Sequence, residues 1–227
     1  MDRRKFLANS IIVGGAMALA PVVRAETKTG RKVRVIGISC SPRKGMTTAT
    51  GVQVALDAAK EVDGRIQTEL IDLGGMTISG WNGTGKFQED DFERLVLPTL
   101  RDPAPDGLII GSPVYFRNIS SLCMAFLERL AVLRKPNLLL ADVSVGALSV
   151  GAYRNGGQEM AIQQIQAAML CHEVTIVGGK PPAHQGATLL NVYKDDIMKD
   201  EFGIKTAKQL GIRVAEATLR LKSKKNK

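Results

Sequence analysis

Residues 33–50, VRVIGISCSPRKGMTTAT, limit what this chain can become more than any other stretch. A β-branched apolar run ends in a loop of Ser, Pro, Arg, Lys and Gly. The loop then opens through Thr47 and Thr48 into an amphipathic segment with Val52, Ala55, Leu56 and Ala59 on one face. Strand, phosphate-sized loop and helix therefore follow within one short span. A helix N-terminus has free N–H groups and the positive end of the peptide dipole, so a loop feeding it suits an anion. The hydroxyls of Ser39, Ser41, Thr47 and Thr48 and the Arg43 guanidinium add side-chain donors. The segment reads as a phosphate cradle, and the owner of the phosphate is the next question.

Beyond the cradle the chain alternates. Strands are expected over 32–39, 65–73, 108–114, 143–151 and 174–177, and helices over 47–61, 89–100, 120–133, 158–173 and 201–222. Between the second strand and the second helix lies a Gly- and Thr-rich loop, 74–86, that holds the single tryptophan, Trp81. The run LIIGSPV is almost continuously apolar, as a strand covered on both faces must be. Such alternation implies an α/β fold: a doubly wound, five-stranded parallel sheet of the flavodoxin-like order 2-1-3-4-5. Ligands in such sheets sit beyond the carboxyl ends of the strands, near the switch point between the first and third. The loops leaving strands one, three and four should meet there.

The chain has 227 residues and 44% hydrophobic content, which suits one domain, placed at 32–222. Net charge is +9, concentrated at the two ends, and residues 223–227 read as a solvated basic tail. Basic and aromatic residues do not interleave, so nucleic acid is not an expected partner. Cys40, Cys123 and Cys171 are scattered and odd in number. With His172 and His184 they offer neither a disulfide framework nor metal-ligand spacing.

Residues 1–25 read as an address. Arg3-Arg4-Lys5-Phe6-Leu7 precedes a short apolar run, Pro21 breaks it, and Val23-Arg24-Ala25 offers a signal-peptidase site. The paired arginines resemble a twin-arginine export signal. Its implied partners are the twin-arginine translocase and signal peptidase, and its destination the periplasm; an unused signal would leave the protein cytoplasmic. Export of a folded chain implies a cofactor loaded before export.

Three owners of the phosphate are disfavoured. The chain contains no G-x-x-x-x-G-K-[ST], and no G-x-G-x-x-G follows the first strand. A phosphatase loop needs Arg six positions after its cysteine, where Cys40 is followed by Met46. Loop three, GSPVYFRN, sets Tyr115 and Phe116 just past a strand end, where they can stack on a planar ring. Loop four, GAYRNGGQE, has paired glycines before a helix, which let backbone N–H groups approach a ligand.

Together GISCSPRKGMTT, DGLIIGSPVYF and GAYRNGGQE resemble the NADPH-dependent FMN reductase family, and within it the iron–sulfur flavoprotein branch, over about residues 32–221. The resemblance implies FMN, with Ser39, Ser41, Arg43, Met46, Thr47 and Thr48 at its phosphate. It implies Pro113, Val114, Tyr115, Phe116 and Asn118 along the ring, and Gly151, Tyr153, Gly156, Gly157 and Gln158 along the other edge. The backbone of Gly156 and Gly157 is expected to face the negative charge of the reduced ring. The branch carries a cysteine cluster between the second strand and the next helix. Here that stretch reads GGMTISGWNGTGKFQEDDF, so no iron–sulfur cluster is expected.

The implied activity is hydride or electron transfer from NAD(P)H through FMN to a quinone, flavin or metal acceptor, with no catalytic acid or base. Export away from NAD(P)H would call for another donor, a quinol or a cytochrome. A non-catalytic FMN electron carrier and a flavin-binding protein without redox function are the alternatives. The resemblance also suggests a homodimer or homotetramer.

Overall fold

In β1 (Val33–Ser39) successive side chains face two separate helix layers, as the period of a strand requires. The structure is a computed structural model describing residues 31–87, 89–192 and 194–225. The expected export signal at 1–25 and the last two residues of the basic tail lie outside these. The described elements are β1, α1 (Thr47–Lys60), β2 (Ile66–Asp72), a π-helical stretch Phe92–Val96 continued by α2 (Leu97–Arg101), β3 (Gly107–Pro113), and α3 (Ser121–Arg129). They continue with β4 (Ser144–Gly151), α4 (Gln158–Leu170), β5 (Thr175–Ile176), β6 (Ala187–Leu190) and α5 (Glu201–Lys225).

The sheet is parallel with order β2-β1-β3-β4-β5, the expected doubly wound order. Pairing sets Val35 beside Gly107 and Gly107 beside Ser144, which aligns the carboxyl ends of β1, β3 and β4. On one face Val35, Ile109 and Leu148 pack with Val52 and Leu56 of α1 and Leu210 and Val214 of α5. On the other, Ile36, Ile38, Leu108 and Val145 pack with Phe92, Phe126, Ile162 and Ile165. Every residue of β3 and β4 is buried, because helices cover both faces. The backbones of α1 and α5 touch at Gly211, where a Cβ would lie 1.9 Å from the carbonyl oxygen of Ala55.

The structure departs from the expected elements in three places. The fifth position in the sheet is shared: β5 pairs with the first half of β4, and β6, an unforeseen strand, with its second half. The expected helix 89–100 begins only after Asp91 and opens as a π stretch. Pro98 has no N–H to close the regular turn onto residue 94. Finally α5 runs to Lys225, so part of the expected tail is helical. Among the described residues no helix is long and apolar enough to cross a membrane.

Candidate functional site

The loop after β1 is held from outside and lined with donors inside. Asp72, at the end of β2, accepts the N–H of Gly45 at 2.6 Å and that of Gly74 at 3.2 Å. Gly45 has a φ of +70°, and Gly74 lies so close to Lys44 that a Cβ would sit 2.3 Å from its Cα. Inside the loop Ser41, Thr47 and Thr48 are buried. Helix α1 starts from Met46 with no side-chain cap, so its first N–H groups have no capping acceptor. The Ser39 hydroxyl is buried without a hydrogen-bond partner. Uncapped amides, buried hydroxyls and an orphaned hydroxyl form the donor set that a phosphate monoester needs, and the FMN phosphate fits it.

Arg43 lies at the outer rim. Its Nη1 donates to Oδ1 of Asp195 at 2.9 Å, and Asn191 donates to the same oxygen at 2.9 Å. These two donors hold the Asp195 carboxyl below its ordinary range, Asn191 contributing first and Arg43 next. Lys194 and Asp195 both have left-handed backbone, with φ of 49° and 66°. The segment is anchored where the Asn191 N–H donates to Gly151 O at 2.8 Å.

Loop three leaves β3 as a tight turn. Tyr115 and Asn118 exchange two backbone hydrogen bonds of 2.9 Å, and Phe116 and Arg117 between them have φ of 50° and 64°. Two left-handed residues in succession are what a primed hairpin turn requires. Phe116 stands at the tip, 98% exposed, with Tyr115 at 41%. Helix α4 steadies the turn through Gln164, which donates to Oδ1 of Asn118 at 2.7 Å and accepts the Ile119 N–H at 3.1 Å. Pro113 is buried and Val114 half-buried beneath.

Loop four is organised by the buried side chain of Gln158. Its Oε1 accepts the Gly156 N–H at 2.9 Å and its Nε2 donates to Tyr153 O at 2.6 Å. Gly151 makes room for it, since a Cβ there would lie 2.6 Å from Nε2. The Gly156 N–H, expected to face a ring, is thus engaged within the loop and also donates to Tyr153 O at 3.0 Å. Tyr153 is 76% exposed. Arg154 turns outward to the buried Asp200 and stacks over the Phe202 ring.

The three loops meet through specific contacts. The Ser120 hydroxyl caps α3 by accepting the Cys123 N–H at 3.0 Å, and it donates to Cys40 O at 2.6 Å, joining loops one and three. Gly157, at φ +110°, lets loop four reach loop three, where a Cβ would be 2.9 Å from Arg117 Cα. The expected phosphate and ring residues are therefore brought to one edge of the sheet. Cys40 is fully buried, and burial with the neighbouring Cys123 thiol raises its pKa, which leaves it a poor nucleophile. Among the described residues no group of three or more His, Cys, Asp or Glu side chains is placed to hold a metal ion.

Asp72, Asn191 and Asp195 were not among the expected site residues. Asp72 ends an alternating strand, a position that could have drawn attention. Asp195 meets Arg43 across 152 residues of sequence, and no local pattern announces that.

The doubly wound sheet, with a donor-lined loop at its carboxyl edge and an aromatic turn beside it, defines a flavodoxin-like α/β protein. Residues 33–188 match the NADPH-dependent FMN reductase family, and the chain belongs to it. It is 38% identical over 198 residues to an iron-sulfur flavoprotein of Methanocaldococcus jannaschii, covering 84% of this chain and 100% of that one. To an iron-sulfur flavoprotein of Methanosarcina thermophila it is 32% identical over 184 residues, covering 78% and 93%. Among solved structures, RosB with a bound 8-demethyl-8-formylriboflavin-5'-phosphate intermediate has a TM-score of 0.65 at 15% identity, covering 86% of this chain and 81% of that one. An NADH:FMN oxidoreductase in its apo form has a TM-score of 0.56 at 20% identity, covering 83% and 90%. These two show the shared fold.

Proposed function

We propose that the protein is an FMN-dependent oxidoreductase that passes hydride or electrons from a donor through bound FMN to a quinone, flavin or metal acceptor. The observation that carries this reading is the uncapped start of α1 in a loop that holds the buried side chains of Ser41, Thr47 and Thr48 and is fed by a strand ending in the orphaned Ser39 hydroxyl. Met46 opens that helix, and Arg43 adds charge at the rim. The turn Tyr115–Asn118 and the edge of loop four from Gly151 to Gln158 would flank the ring.

Bound FMN would supply the electron and hydride transfer. The protein's part is to hold and shield. The β1–α1 loop fixes the phosphate end, and Gln158 locks loop four against Gly151. Gly157 and Arg117 bring together loops three and four, the two loops that would flank the ring. No side chain is assigned as a proton donor, because hydride arrival needs none.

The donor follows from where the protein works. With the export signal used, the protein is periplasmic and a quinol or cytochrome replaces NAD(P)H; in the cytoplasm NAD(P)H serves directly. The exposed Phe116 and Tyr115 suit a homodimer or homotetramer in which a second copy covers the ring. The second reading is a non-catalytic FMN carrier of the cell envelope, and the net charge of +9 counts against it, since flavodoxin-type carriers are typically acidic.

Anaerobic mixing of the purified flavoprotein with NADPH, NADH, a reduced quinone and a reduced cytochrome tests this. Bleaching by a small-molecule donor with turnover on an added quinone supports the oxidoreductase. Bleaching only by a protein donor supports the carrier. A mature protein that lacks flavin absorbance and takes up no added FMN removes the reading altogether.

A further inference from the structure

The relatives named above are iron-sulfur flavoproteins, so a cluster is the second redox group that the family implies. The residues of this chain do not fit it. Thiolates are the ligands a [4Fe–4S] cluster needs. Cys40 and Cys123 lie buried under the phosphate loop, and Cys171 stands exposed just past the end of α4. The segment between β2 and α2 contains no cysteine.

That segment is instead built by carboxylates. The N–H groups of three alternate residues, Thr77, Ser79 and Trp81, donate to Asp91 at 2.7 Å, Asp90 at 2.8 Å and Glu128 at 2.6 Å. Three anions gathered so closely need cations. Arg94 pairs with Asp91 at 2.8 Å. Arg129, a fully buried arginine on α3, donates to Asp90 at 2.6 Å, to Glu93, and to Ser79 O at 3.1 Å. Its guanidinium carbon also lies 4.0 Å from the centroid of the Phe87 ring and 5.0 Å from that of Phe92, and Phe87 meets Trp81 edge to face. A buried charge is tolerated only when paired and hydrogen-bonded; the two terminal nitrogens of Arg129 meet two carboxylates and a carbonyl and its plane meets two rings, while its Nε is buried without a partner.

We infer that an ion-pair clasp centred on Arg129 organises residues 77–93 in place of a thiolate-held cluster, leaving FMN as this chain's single redox centre. Electrons then enter and leave at the same ring. The inference uses the flavoprotein reading only for the count of redox centres. The clasp is tested without reference to flavin, so either can fail alone.

Two measurements on the full-length protein decide it. After anaerobic incubation with ferrous iron, sulfide and a thiol reductant, then desalting, iron should fall to background and reduction should give, beside any flavin radical, no low-temperature iron–sulfur paramagnetic signal. Cluster-level iron with such a signal overturns the proposal. Trypsin reads the clasp through Lys86, which is exposed within the segment. Arg129→Met should speed cleavage after Lys86 at least tenfold, and Glu93→Gln, which keeps Arg129 paired with Asp90, at least threefold. The milder variant keeps the test readable if Arg129→Met does not fold. Cleavage of Glu93→Gln at the wild-type rate overturns the clasp. So does faster cleavage of the wild-type protein on treatment with air and a chelator, which attack a cluster and not an ion pair.

Discussion

The Arg43 guanidinium donates to the Asp195 carboxylate at 2.9 Å, so a charge pair joins the phosphate loop to the segment before α5. In the proposed flavoprotein this one cation would be shared by two anions, the carboxylate and the cofactor phosphate. Arg43→Ala should raise the FMN Kd about tenfold, the low end for a hydrogen bond to a charged group because Arg43 is half-exposed. Asp195→Asn frees Arg43 from its carboxylate, and FMN should bind as tightly as before or tighter. Riboflavin, which lacks the phosphate, should bind both variants as it binds the wild type. Titration of flavin fluorescence reads all three, and a shared loss for riboflavin would place Arg43 outside the phosphate role.

Gly157 is the seam between loops three and four. Its φ of +110° disfavours any side chain, and a Cβ would press on Arg117 Cα. Gly157→Ala should therefore lower stability by roughly 1–3 kcal/mol. It should also release flavin, because the two loops that would flank the ring in the proposed flavoprotein can no longer touch. Urea unfolding and flavin retention on a desalting column measure the two effects separately.

Gln158 holds loop four by its amide. Gln158→Leu keeps the volume but deletes the bonds to Gly156 N and Tyr153 O, which should cost about 1–3 kcal/mol. Hydrogen exchange of the Gly156 amide should rise most, since it loses its side-chain acceptor. An unchanged exchange rate there would contradict the role given to Gln158.

Asp90 makes the clasp resistant to acid. Burial opposes its ionisation, but the N–H groups of Ser79 and Phe92 and the Arg129 guanidinium outweigh burial and hold its carboxyl at about 2. A depressed carboxyl stabilises the fold fully above the ordinary range of about 3.9 and loses that contribution as pH falls toward about 2. The stability gap between wild type and Asp90→Asn should stay level from neutral pH to about 5 and narrow only below about 4. Unfolding followed at several pH values tests this, and a gap that closes near neutrality would show that Asp90 is not held down.

The legible parts were those in which local pattern and tertiary role coincide. The apolar runs of β1 and β3 announced a parallel sheet, and the Thr47-Thr48 pair announced the start of a helix. β6 was missed because ATLL is only four residues long and pairs with the half of β4 that β5 leaves free. Asp90 and Asp91 fall at the start of the expected helix 89–100, whereas their carboxylates accept N–H groups of the preceding loop and Asp90 also binds Arg129. Arg129 itself sits among the residues of an amphipathic helix and looks like a surface cation until the loop folds over it.

The sequence by itself determined the layer architecture, the strand order and the place of the loop between β1 and α1, because periodicity and turn chemistry act over a few residues. It also determined that the segment after β2 lacks thiolates. Only the tertiary structure decided how Arg43 is shared with Asp195, how Gly157 meets Arg117, and that Arg129 is buried with a charge balance of its own. The two ion-paired cases depend on groups brought together across 152 residues for Arg43 and across 36 or 39 for Arg129. Electrostatic pairing acts through space, and its partners are chosen only after the chain has closed around them.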